Sequence, residues 1–464
     1  MVLPQAFLER IRRDLPDAEA FLAALDTPPV TSLRVNPVKP SQLPFETTPV
    51  PWHPEGRYLP KRPSFVADPR FHAGAYYVQE ASSMLLHALL DINKPVRILD
   101  MCAAPGGKST LLASAMPAGS VLVSNEVVPA RTNILSENMR RWGNSNVIVT
   151  KRDAQAFARV PNFFDVILVD APCSGEGMFR KDATSREQWS QDLIDTCAVR
   201  QKDIVSSVLP ALRPGGMLIY ATCTYAPEEN EQLVDWLLAT YDLEPQPLEP
   251  RQGAMLEQMG VTPVTIQGSE HAAFRCFPHR VQGEGMFFCR LKKSGDTPVS
   301  PFSPADTPTL PRAATDFLRD FVQGFQQGFG QGEVNVVLEK NHLYYQPAGL
   351  TDLINAKLAT AISALNLGKL HGKGARQGVI PSHELALSTL LREDVASIHL
   401  DEATALRYLQ KEDLTAEDVK NPAQIEQGWV VARFEGLALG WLKATKGHFN
   451  NALPLNWRIR KQLE

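Results

Sequence analysis

The sequence predicts an α/β protein whose centre is a doubly wound parallel sheet, and three observations predict it. Between Gly74 and Lys293, short apolar runs alternate with helical patterns, the rhythm of parallel strands covered by helices on both faces. A glycine-rich turn, APGGK, follows the first of those runs. Acidic residues or thiols close the runs that come after it.

Composition narrows the class. At 464 residues the chain exceeds one typical core, so several domains of roughly 100 to 200 residues are expected. Apolar residues make up 44% and charged residues 21%. No apolar run approaches the roughly 20 residues of a membrane span, and the opening MVLPQAFLERIRR has no signal-peptide core, so a cytoplasmic protein is expected. The six cysteines form no CxxC pair, which argues against a zinc ribbon or a disulfide framework; no metal is expected, and the thiols stay free to react. A net charge of −4 excludes a uniformly basic surface, so any contact with nucleic acid must be local.

In chain order, residues 1–73 read as an N-terminal α+β auxiliary domain, with helices over FLERIRR and AEAFLAAL and a strand TSLRVN. Residues 74–293 carry a helix over EASSMLLHALL, strand VRILDM, the turn, helix STLLASAM, strand VLVSNE, helix RTNILSENMRRW and strand VIVTKRD. Strand FDVILVD, a helix around LIDTCAVRQKDIVSSVLPAL and strand MLIYAT complete that alternation. The Pro, Ser, Thr and Asp of SGDTPVSPFSPADTPTLP mark a linker over 294–312. Beyond it, WVVARFEGLALGWLKAT predicts a β-hairpin turning at Glu435 and Gly436. The last stretch, 441–464, holds five Lys or Arg against one acid among aromatic residues, and GKLHGKGAR at 368–376 is also basic.

The segment CAAPGGKS at 102–109, with a later strand ending in Asp170, imitates a phosphate-binding P-loop and its magnesium-binding partner. That pattern requires glycine at position 102, where Cys102 stands, and Ala103, Ala104 and Pro105 stiffen the turn. The competing reading relies on acids. Glu126 closes the second strand, placed for ribose hydroxyls; Asp153 closes the third, placed for an adenine amino group; Asp170 closes the fourth. Acids in register with successive strands suit a cationic nucleoside without phosphate, namely S-adenosylmethionine.

Cys173, in VDAPCSG, and Cys223, in ATCTYAPEEN, each follow an apolar strand. A thiolate adding to carbon 6 of a pyrimidine makes carbon 5 an enamine nucleophile toward a sulfonium methyl. Such chemistry also needs an extruded base. Neighbouring strands would bring both thiols to one cleft.

The stretches YYVQEASSM, DMCAAPGGK, DAPCSGEGMFRKD and RPGGMLIYATCTYAPEENE resemble the bacterial RNA 5-methylcytosine methyltransferases, in the type that acts on the small ribosomal subunit and carries a C-terminal extension. The resemblance covers about residues 74–293. It implies a Rossmann-like S-adenosylmethionine-dependent core and methylation of carbon 5 of cytosine in 16S ribosomal RNA. It further implies that Cys223 is the nucleophile, that Cys173 assists release of the methylated base, and that Asp170 meets both the cofactor and the target cytosine. Cys102, Ala103, Ala104, Pro105, Gly106, Gly107 and Lys108, with Glu126, Arg131, Asp153 and Asp170, would hold the cofactor. Lys181 is left open between a catalytic and a loop-structural role, and Arg34 between an RNA phosphate and a surface acid. The tail is similar to the family's extension, an intermediate domain over 313–395 and a PUA-like RNA-binding fold over 396–464. The expected partner is 16S ribosomal RNA or the small subunit, met by a monomer. Another RNA as substrate, or a non-catalytic assembly factor on the same core, are the alternatives.

Overall fold

The computed structural model describes residues 3–297, 301–303, 310–325, 335–419 and 427–460. Residues 298–300 and 304–309 of the expected linker and residues 461–464 of the basic C-terminal stretch lie outside them. Five parallel strands form one side of the largest sheet, out to its edge: β1 (Arg97–Asp100), β2 (Val121–Asn125), β3 (Val147–Thr150), β4 (Phe164–Asp170) and β5 (Leu212–Thr222). Their order is β3-β2-β1-β4-β5. The chain therefore winds away from β1 through β3 and re-enters on the other side of β1, and such a reversal opens a ligand crevice at the carboxyl ends of β1 and β4. Strands Met286–Lys293, Ser269–Cys276 and Thr262–Ile266 extend the sheet antiparallel beyond β5.

Burial explains the sequence pattern. Every residue of β1, β2 and β3 is buried, as helices on both faces require. Helices Gly107–Ala115, Pro129–Trp142 and Gln191–Val208 follow the expected pattern. Two elements differ from expectation. The segment EASSMLLHALL forms 3-10 turns over Ser82–Leu89, because the Glu80 carboxylate captures the N–H groups of Ser82 and Ser83 at 2.9 Å each and the run is buried on several faces. The third strand stops at Thr150, short of Asp153, because the Asn125 side-chain oxygen takes the Arg152 N–H.

The N-terminal helices Gln5–Asp14 and Ala18–Leu25 precede an antiparallel sheet ordered Thr48–Pro49, Gly56–Leu59, Thr31–Val35, Tyr76–Tyr77. Tyr76 and Tyr77 pair with Val35 and Arg34, so this sheet runs past residue 73, where the auxiliary domain was expected to end. Beyond the linker, four antiparallel strands run from Val336 to Pro381, and a five-stranded sheet occupies Ser397–Asn451. The hairpin turns at Glu435 and Gly436, whose φ angles of 47° and 82° give the paired left-handed conformations of a tight two-residue turn.

The tail is not a detachable module. Leu350, Leu353 and Leu358 are buried in one apolar cluster with Leu99, Val121 and Phe163 of the catalytic domain. Arg140, in the helix after β2, donates to the carbonyls of Ser363 and Ala364, and Arg70 grips Glu435 through two hydrogen bonds of 2.9 and 2.6 Å. The tail beyond the linker is therefore packed onto the core rather than held apart from it.

Candidate active site

The switch between β1 and β4 brings several of the sequence-predicted residues together. After β1 the chain turns through Met101–Gly106, held by Met101 N–H to Leu168 O at 2.9 Å and Ala103 N–H to Asn125 O at 2.8 Å. Gly106 has φ of 116°, which favours glycine, and the helix begins at Gly107. Its first turn projects Lys108 across to Asp170, Nζ to Oδ2 2.8 Å, and Ser109 to Asp100, Oγ to Oδ2 2.6 Å. Burial by itself would lower Lys108, but the Asp170 carboxylate and then Cys223 hold it above its ordinary value. Asp100 is wholly buried, and burial pushes its carboxyl up to about 7.

Glu126 stands one residue beyond β2, buried, accepting the Val128 N–H at 2.9 Å and facing Arg131 at 3.3 Å. Arg131 also donates to Ala104 O at 2.9 Å, closing a bridge from the glycine-rich turn to the second strand end. Asp153 is exposed at the end of β3, three residues past the strand. Cys102 is half-buried, and burial raises its thiol well above the ordinary range, so it serves the turn as a neutral group.

The two remaining thiols come together. In the β4/β5 register Asp170 lies opposite Ala221, and three and two residues later Cys173 and Cys223 place their sulfurs 3.1 Å apart. Cys173 is raised well above the usual thiol range, first by its hydrogen bond to Cys223 and then by burial. Gly177 donates its N–H to Cys223 O at 2.7 Å; a Cβ there would stand 2.6 Å from that oxygen, so the loop needs glycine. The described residues fit S-adenosylmethionine: a tight turn between two strand ends, an acid at the second strand and a further acid at the third, with an unpartnered buried Asp100 oxygen beneath.

Comparison with known proteins decides the family. The model of the 16S rRNA methyltransferase RsmB/F matches residues 87–292, that of the N-terminal domain of 16S rRNA methyltransferase RsmF matches 3–81, and that of the methyltransferase RsmF PUA domain matches 395–459. Ribosomal RNA small subunit methyltransferase F from Escherichia coli O139:H28 is 32% identical over 484 residues, covering 97% of this chain and 95% of that protein. The chain belongs to the RsmF family of 16S rRNA methyltransferases. The protein of the same name from Klebsiella pneumoniae is 31% identical over equal shares. Among solved structures, a methyltransferase homolog from Pyrococcus horikoshii is 30% identical with a TM-score of 0.53, covering 62% of this chain and 95% of that one. NSun6 from the same organism, at 20% identity and a TM-score of 0.54, shares the fold over 63% of this chain and 99% of that one.

As an RsmF-family RNA methyltransferase, the chain combines this core with its PUA domain, and among the described residues no helix is long and apolar enough to cross a membrane. One expected residue stands elsewhere than anticipated. Arg34 meets neither solvent nor a surface acid. It is fully buried, donating to Gln79 Oε1 at 2.9 Å and Thr110 Oγ1 at 2.6 Å, with its guanidinium over the Trp142 ring at 4.5 Å. Lys181 pairs with Glu284 at 3.6 Å.

Three residues escaped the sequence reading. Asn125 joins three strand ends, donating to Met101 O and Arg152 O and accepting from Thr150 and Arg152. Asp100 underlies the turn, and Glu229 lies beneath the thiol loops. The available signal was the same for the first two: a polar residue ending an otherwise apolar strand.

Proposed function

We propose that the protein methylates carbon 5 of a cytosine in 16S ribosomal RNA, using S-adenosylmethionine and a covalent adduct between Cys223 and carbon 6. The observation that carries the reading is the pair of sulfurs 3.1 Å apart beside the Lys108–Asp170 ion pair and the glycine-rich turn. The turn from Cys102 to Lys108, Glu126, Arg131 and Asp153 hold the cofactor, whose sulfonium supplies the methyl group. Asp170, paired with Lys108, accepts from the amino group of the extruded cytosine. The Cys223 thiolate, with Lys108 nearby, adds to carbon 6, and carbon 5 takes the methyl. Loss of the carbon-5 proton to water then closes the 5,6 double bond, and the carbon 6 to sulfur pair returns to Cys223 as thiolate, to which the Cys173 S–H donates a hydrogen bond. Charges balance, because the methyl donor loses one positive charge and one proton is released.

The test separates the thiols by what each variant accumulates. Cys223→Ala should neither methylate nor cross-link RNA, and Cys223→Ser should be as inactive, since a hydroxyl is far too weak an acid to give an anionic nucleophile unaided. Cys173→Ala should methylate and then remain joined to RNA, visible as a slow band on a denaturing gel that requires the methyl donor. An adduct from Cys223→Ala and none from Cys173→Ala would exchange the two roles; adducts from neither would remove both.

A further inference from the structure

Glu229 lies six residues after Cys223 in a run, PEENE, that reads as solvated surface, yet it is wholly buried. Its carboxyl accepts the Ser174 N–H at 2.9 Å, the Gln201 Nε2 at 2.8 Å and a short hydrogen bond from the Ser174 hydroxyl. Gln201 also donates to Pro172 O at 3.0 Å. Pro172 and Ser174 flank Cys173, so both sides of that thiol are tied to one side chain. The other loop is tied into the same group: Ser174 Oγ meets Thr224 Oγ1 at 2.8 Å, and Asn230 holds Thr222 Oγ1 and Thr224 O at 2.6 and 3.0 Å. Those threonines flank Cys223.

A buried carboxyl costs free energy unless its hydrogen bonds compensate, and here every bond leads to a neighbour of a thiol or to the helix behind it. We propose that Glu229 is a positioning residue for release of the methylated base: through Ser174 and Gln201 it sets the Cys173 S–H against the sulfur of Cys223. This rests on the roles assigned to the two thiols above. In release, the carbon-5 proton passes to water, its bonding pair closes the 5,6 double bond, and the carbon 6 to sulfur bond breaks with its pair going to Cys223. Cys173 donates to that departing sulfur. Attack by Cys223 needs no such donor, so displacing Cys173 slows release more than methyl transfer.

The experiment follows single turnovers of the full-length chain on a 16S RNA fragment, reading methyl transfer and decay of the adduct separately. In Glu229→Ala, methyl transfer should stay within about threefold while the adduct lasts roughly tenfold longer or more, the scale expected of a catalytic group displaced by a fraction of an ångström. Glu229→Gln keeps the shape and an acceptor for the Ser174 N–H, so it should restore decay. Ser174→Ala, which removes only the hydroxyl, gives a second measure if calorimetry shows that Glu229→Ala no longer binds the methyl donor; its adduct should persist as well. Wild-type decay in folded variants at both positions overturns the proposal, as does an equal loss of both steps with no rescue by glutamine. Cys173→Ala is run beside them: normal release there would overturn the thiol assignment itself, whereas a trapped adduct there with normal release in Glu229→Ala and Ser174→Ala would overturn the positioning role alone.

Discussion

At the scale of single residues, the acids around the glycine-rich turn have separable effects. Glu126→Ala should weaken S-adenosylmethionine by about 1 to 3 kcal/mol, the usual cost of stranding hydrogen-bonded hydroxyls, and an unchanged dissociation constant by calorimetry would remove Glu126 from the ribose. Asp100 acts on stability instead. Its folded pKa of about 7 stands above the ordinary 3.8, so the stability it contributes is full below pH 3.8 and is lost as pH rises through about 7. Thermal denaturation of the cofactor-free Asp100→Asn chain should show a flatter profile across that interval than the parent, and an identical slope would contradict the assignment. Residue type made Glu126, Cys173 and Cys223 legible, because each follows an apolar run that could only be a strand. Arg34 and Glu229 were not legible, since their partners Trp142 and Ser174 lie 108 and 55 positions away and a charged side chain ordinarily reads as surface.

At the scale of elements, the first two helices support the thiol loops. Phe7 and Phe21 pack with Phe179, Tyr225 and Phe277, so helices legible from their apolar spacing find a site that spacing could not name. Between these elements lies a buried ion pair, Arg10 to Glu176 at 2.5 Å, and Glu176 also accepts the Tyr225 N–H at 3.0 Å, two residues after Cys223. Glu176→Gln leaves Arg10 as a buried, uncompensated cation, which costs about 3 to 5 kcal/mol. Amide exchange over Gln5–Leu25 should accelerate on the order of 100- to 1,000-fold or more, at about 1.4 kcal/mol per tenfold. Replacing both Arg10 and Glu176 with methionine should recover most of the protection, and failure to do so would show that packing rather than charge sets the loss. The 3-10 turns over Ser82–Leu89 are not distinguishable in the sequence from an α-helix, because an apolar run buried on several faces carries no diagnostic period.

At the scale of the whole molecule, deletion of 313–464 should do more than weaken RNA binding. It strips the partners of Arg140 and uncovers the face that Leu350, Leu353 and Leu358 protect, at roughly 2 kcal/mol for each buried side chain lost. The shortened chain should melt well below the full one and bind S-adenosylmethionine more weakly. A core that melts and binds unchanged would show that these contacts carry no stability. The parallel core was legible because its strands are long apolar runs with marked ends, while the tail's short strands bury their faces against distant segments that no local pattern reveals. Three arginine clamps, Arg34 from the auxiliary sheet into the helix after the glycine-rich turn, Arg140 into the tail and Arg70 onto Glu435, tie the flanking units together with the core. With both flanking units locked to the core, neither is free to swing aside as a gate. On the proposed reaction, the distortion that delivers a cytosine to the sulfurs should therefore fall on the nucleic acid, and cytosines that unstack at least cost should be the better targets.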